Sequence, residues 1–103
     1  MTARERLPNR RGTETFAFTC NGLSYLASIG RYADGRIAEI FLSNAKAGSH
    51  SDAAAKDSAV VASIAMQFGV PLDTIRHALL RDAQGRASSP LGEALDRLAE
   101  GSL

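Results

Sequence analysis

The chain has 103 residues, a length that points to one domain with a modest core. Its 12 lysines and arginines against 11 acids leave a formal charge of +1, too little for a dedicated nucleic-acid binder, which would be strongly basic. One cysteine, Cys20, excludes a disulfide framework and a cysteine-type structural zinc site within a single chain.

A reducing setting fits that cysteine count. The N-terminus has no apolar signal region and no stretch reaches membrane-spanning length, so the expectation is a soluble, cytoplasmic protein. A core this small gives marginal stability, which docking or self-association would raise.

Residues 1–12 read as a basic arm, with Arg4, Arg6, Arg10 and Arg11 and a break at Pro8-Asn9, ordered only where it docks. Residues 13–103 read as one α+β domain. Thr15 to Cys20 alternates Phe16, Phe18 and Cys20 with Thr15, Ala17 and Thr19, a strand with one apolar face. Asn21-Gly22 is a two-residue hairpin turn. Leu23 to Tyr32 returns as a second strand, and Asp34-Gly35 marks a second hairpin. Arg36 to Leu42 is the third strand, apolar on both faces except at Glu39.

After a loop, Ser49 or Ser51 caps a helix from about Asp52 to Phe68, with Asp52 favourable at its positive end. Val60, Val61, Ile64, Ala65 and Phe68 form its apolar stripe. Gly69 closes it in left-handed geometry, and Pro71 opens a second helix to about Leu80 carrying Leu72, Ile75 and Leu79 on one face. Ser89-Pro90 caps a last helix to about Glu100, with Leu91, Ala94, Leu95 and Leu98 inward. The fold class expected is a three-stranded antiparallel meander packed against about three helices, in the order β-β-β-α-α-α.

Several pieces of this chain, in order, resemble a known family. They are Leu7-Pro8-Asn9-Arg10-Arg11, Asp34-Gly35-Arg36, Glu39-Ile40-Phe41, Lys46, Gly48, Ser63, Gln67 and Gly69-Val70-Pro71-Leu72. The set resembles the TSCPD domain near the C-terminus of adenosylcobalamin-dependent ribonucleotide reductases. The motif that names the domain, Thr-Ser-Cys-Pro-Asp, is replaced by Ala87-Ser88-Ser89-Pro90-Leu91, so its cysteine position is Ser89 and only the capping geometry remains. The resemblance implies a stand-alone copy of an appended domain. The catalytic barrel, its radical and redox cysteines and the cysteine-rich tail are not part of it. It therefore implies an accessory or interaction module linked to deoxyribonucleotide metabolism, with no catalytic residue, no metal and no cofactor of its own.

The candidate sites each have a plain structural reading beside the functional one. Cys20 shares a face with Phe16 and Phe18 and reads as a small core residue. His50 and His77 are isolated and lack ligand-spaced carboxylates. Lys46, Gly48 and Ser49 lead into a helix N-terminus, where an anion or phosphate would sit, or where the loop simply closes and caps. Arg6, Arg10 and Arg11 suit phosphates or an acidic partner, or form a solvated tail. Glu39 either faces solvent or pairs with Arg31 or Arg36.

These residues give two functional readings. The first is a protein-interaction module whose partner is a reductase-like catalytic chain or a second copy of itself. The second is a nucleotide or nucleic-acid binding module that uses the arginine arm and the Lys46 to Ser49 helix entrance. The third strand, with Ile37 and Phe41 on one face and Ala38, Ile40 and Leu42 on the other, leaves an apolar face that one helical layer cannot cover. Phe16, Phe18, Tyr25 and Ile29 are expected to extend it. That points to a dimer through the sheet face or its edge, unless the arm around Leu7-Pro8 folds back over the sheet.

Overall fold

The computed structural model describes residues 3–8 and 12–101. Three strands come first, β1 (Thr13–Cys20), β2 (Leu23–Arg31) and β3 (Ile37–Asn44). Three helices follow, α1 (His50–Gln67), α2 (Leu72–Ala78) and α3 (Pro90–Glu100). The sheet is an antiparallel meander in the order β1-β2-β3. This is the expected α+β fold in the expected element order. No helix is long and apolar enough to cross a membrane among the described residues.

Both hairpin signals act as turns. Asn21 and Gly22 take φ of 52° and 78°, the positive pair a type I′ turn demands, and Cys20 faces Leu23 across it. At the second hairpin, Gly35 donates its amide to the Tyr32 carbonyl and Arg36 closes the loop onto the Tyr32 amide, both at 2.9 Å. The register slips once, between Gly30 and Arg31.

One face of the sheet holds the core. Phe18, Tyr25, Ala27, Ile29, Ile40 and Leu42 meet Ala55, Ala59, Ala62 and Met66 of α1 and Leu91, Ala94 and Leu95 of α3. Ile29, Ile40 and Leu95 are completely enclosed, each contributing about 2 kcal/mol by area removed from water. Phe18 stacks on Tyr25 at 5.6 Å between ring centres. These aromatic residues therefore belong to the helix-covered face, contrary to the expectation that Phe16, Phe18, Tyr25 and Ile29 extend a bare one. The other face carries Thr15, Ala17, Thr19 and Leu26, all exposed, with Phe41 at 51% exposure.

Helix α1 does not bury its apolar stripe. Its apolar stripe of Val60, Val61, Ile64 and Phe68 points outward, with Val61 68% exposed, while the buried face is Asp52, Ala55, Ala59, Ala62, Ser63, Met66 and Gln67. The reason is the open edge of β3, whose main-chain groups need partners once water is excluded. Asn44 gives its amide to Asp52, Ile40 gives and takes through Ser63, and the Ala38 carbonyl accepts from Gln67 Nε2. The alanines between these polar positions let the helix approach closely. Hydrogen-bond satisfaction of an edge strand outweighs burial of two valines.

The helix ends follow the sequence. Ser49 caps α1 by accepting the Asp52 amide, and Ser89 caps α3 by accepting the Gly92 amide. Gly69 has φ of 97°, and Val70 donates back to the Ala65 carbonyl, the closing bond of a Schellman turn. The second helix is shorter than expected, because Pro71 serves as its N-cap and the helix stops at Ala78.

Candidate functional site

The sequence-derived candidates fall at opposite ends of α1. At its N-terminal end, Lys46, Gly48 and Ser49 form the loop that enters the helix. Gly48 sits at φ of 78°, and Lys46 donates its amide to Asn44 Oδ1 at 2.8 Å. Two main-chain amides of this loop hold an internal anion. Asp52 accepts the Asn44 amide at 2.8 Å on one oxygen, and the Gly48 amide at 3.1 Å on the other. Lys56 Nζ adds an ion pair at 2.9 Å. The bond from Lys56 and then the two amides push the Asp52 carboxyl down to about 2. The residue that organises this loop is therefore Asp52. Its sequence signal is its place three residues after the Ser49 cap.

At the other end of α1 the arm docks. Glu5 donates its amide to the Gln67 carbonyl at 2.7 Å, closing one of the free carbonyls of the helix C-terminus. The Arg4 guanidinium donates to the Gln67 side chain, whose own amide reaches the Ala38 carbonyl at 3.0 Å. The Tyr32 hydroxyl donates to the Glu5 carbonyl at 3.0 Å. Arg36 lies 4.6 Å over the Tyr32 ring and pairs with both Glu5 and Asp34. Arg6 is exposed beside Arg4, Leu7 and Gln67. Arg10 and Arg11 lie outside the described residues.

An α-helix of 18 residues separates the two groups, a length of about 27 Å. Arg6 and the Lys46-Gly48-Ser49 loop are therefore two separate places on the surface. Glu39 does not face solvent. It is 8% exposed and packed over Gly30, while Arg31 pairs with Glu14 and Arg36 with Glu5 and Asp34.

Of the motif pieces behind the resemblance, Arg36, Gln67 and the Gly69-Val70-Pro71-Leu72 junction lie at the arm's end of the molecule. A cleft of about 470 Å³ is lined by Arg31, Arg36, Ile37, Met66 and the Gly69-Val70-Pro71-Leu72 junction. Both guanidinium groups at its rim are committed to carboxylates of the chain, since Arg31 bonds Glu14 and Arg36 bonds Asp34 and Glu5. Ser63 and Gln67 are occupied by the main chain of β3. These residues build and lock the fold.

A further ion-pair network, missed in the sequence, ties the C-terminal half together. Arg81 grips Asp96 with both arms of its guanidinium at 2.7 and 2.8 Å, and Arg76 adds a third bond at 3.1 Å. Arg81, and after it Arg76, hold the Asp96 carboxyl below the usual carboxylate range. The three residues come from α2, the following loop and α3, so only tertiary structure brings them together. Among the described residues no three His, Cys, Asp or Glu side chains converge as a metal-binding group.

The surface feature that remains is apolar. Val60, Val61, Ile64 and Phe68 stand exposed along α1. Phe41 and Leu26 share a depression of about 370 Å³ with Val60 and the Lys56 stem, which joins the helix stripe to the outer face of the sheet.

No protein-family profile and no solved structure matches this chain. Sequence relatives do. The chain is 42% identical over 72 residues to a vitamin B12-dependent ribonucleotide reductase of Rhodopirellula baltica, covering 70% of this chain and 7% of that enzyme. It is 40% identical over 70 residues to the Agrobacterium fabrum enzyme of the same name, covering 68% and 6%. The Streptantibioticus cattleyicolor enzyme of that name is 34% identical over 71 residues, covering 69% and 12%. The chain is thus similar to one short segment of vitamin B12-dependent ribonucleotide reductases and spans only a small fraction of their length.

Proposed function

We propose that this chain is a non-catalytic, protein-docking module of the TSCPD kind, and that its partner is a reductase-like catalytic chain acting in deoxyribonucleotide metabolism. The observation that carries this reading is the exposed stripe Val60, Val61, Ile64 and Phe68, continuous with Phe41. A contiguous apolar patch on a small domain marks an interaction surface. In the relatives, the similar segment is a small part of a much longer chain, and a face bare in the segment alone is suited to packing against the remainder. The engagement of Ser63, Gln67 and Arg36 in the fold itself supports a structural rather than catalytic use of the motif residues.

The test is titration of the purified protein against a vitamin B12-dependent reductase from which the similar segment has been removed. Saturable binding is expected, weakened more than about tenfold by Ile64→Lys, a change at a surface position of the free protein. Absence of binding, or equal binding by Ile64→Lys, would overturn the reading. Arg6 and Lys46 are exposed and have no carboxylate partner among the described residues, which favours phosphate contact as a second reading. Triphosphate or oligonucleotide binding that falls steeply with salt would identify it.

A further inference from the structure

The two edges of the sheet are treated differently. The outer edge of β3 is closed by α1 through Asp52, Ser63 and Gln67. The alternation of an antiparallel ladder then fixes which groups face the opposite edge. Ile40 and Asn44 turn their main-chain groups toward α1, so Glu39, Phe41 and Ser43 bond β2. Carried through the register of both ladders, Phe16 and Phe18 bond β2, and Thr15, Ala17 and Thr19 turn theirs outward. All three are exposed, and among the described residues nothing bonds their outward amides and carbonyls.

Natural edges are guarded by lysine, proline, bulges or a covering element. Among the described residues β1 has none of these. Its residues are Thr-Glu-Thr-Phe-Ala-Phe-Thr-Cys, the register slip lies on the β2–β3 side, and its only charge, Glu14, is neutralised by Arg31.

We propose that the β1 edge pairs with β1 of a second copy of this chain, antiparallel about a two-fold axis at Ala17. That register sets Ala17 against the second copy's Ala17 and Thr15 against its Thr19, each pair exchanging two main-chain hydrogen bonds. On the inner face it sets Phe16 against the other copy's Phe18, and on the outer face it makes threonine pairs. Both kinds of cross-strand pair are favourable. Glu14 falls opposite Cys20, so no like charges meet. The result is a continuous sheet of both copies with its helices on one side, and the apolar stripe of α1 lies away from the junction. This inference is independent of the reductase reading.

The test joins sedimentation with amide hydrogen exchange on the full chain. A dimer mass is expected in the micromolar range, with the amides of Thr15, Ala17 and Thr19 becoming protected as concentration rises. Ala17→Pro removes an outward amide without touching the β2 ladder, where proline is tolerated, and should weaken the dimer at least about tenfold. Thr15→Lys/Thr19→Lys, at exposed side chains, should do the same in a protein with unchanged circular dichroism and guards against misfolding of the proline variant. A monomer at every concentration, or a dimer whose β1 amides exchange freely and whose mass survives Thr15→Lys/Thr19→Lys, would overturn the proposal.

Discussion

The hydroxyl of Ser63 serves both polar groups of one residue, accepting the Ile40 amide at 2.9 Å and donating to the Ile40 carbonyl at 3.0 Å. A helix side chain here takes the place of a fourth strand. Because the site is buried, removing the hydroxyl leaves two main-chain groups without partners. Ser63→Ala should therefore cost about 1–3 kcal/mol, measured as a lower urea midpoint with an unchanged slope. An unchanged midpoint would show that the edge is satisfied in some other way.

Acid should loosen the start of α1. The folded Asp52 carboxyl titrates at about 2, below its ordinary 3.8. A depressed carboxylate contributes stability above its unfolded value, and that contribution fades as pH falls from about 4 toward about 2. The melting temperature should drop through this window by more in the parent protein than in Asp52→Asn. Parallel curves for the two proteins would remove Asp52 from the explanation.

Gly30 and Glu39 face each other across β2 and β3. A Cβ on Gly30 would come within 2.7 Å of Glu39 Cγ and 2.9 Å of its Cδ. Gly30→Ala should destabilise by about 1–3 kcal/mol through overpacking. In a Glu39→Ala background most of that cost should vanish, and a double-mutant cycle measures the coupling. Equal cost in both backgrounds would mean that the strain lies in the main chain.

Cys20 should be a slow thiol. Burial, and then the nearby negative charge of Glu93, push its pKa up, so little thiolate forms at neutral pH. Reaction with a disulfide reagent should be at least about tenfold slower than for a free thiol, and should reach the free rate in denaturant. Fast reaction in the folded state would reopen a thiol role.

The reading of residues and the folded chain agree where a local rule decides. Asn21-Gly22 makes its turn, Ser49 and Ser89 cap their helices, and Gly69 with Val70 ends α1 in a Schellman turn. In each, the backbone dihedrals or the free helix-end groups demand that residue type within a few positions. The α3 pattern Leu91, Ala94, Leu95 and Leu98 was also legible, since an amphipathic helix with one partner layer buries its apolar stripe.

Where two elements compete for one partner, periodicity fails. The sequence by itself determined the turns, the caps, the element order and the likeness to a reductase segment. Only the tertiary structure decided which face of α1 is buried, because the open edge of β3 draws in Asp52, Ser63 and Gln67 and leaves Val60, Val61, Ile64 and Phe68 outside. It also decided that Asp52 takes the Gly48 amide, and that Arg76 and Arg81 meet on Asp96. Each of these depends on hydrogen-bonding partners brought together from separate elements, and the need of a buried polar group for a partner leaves no periodic trace in the chain.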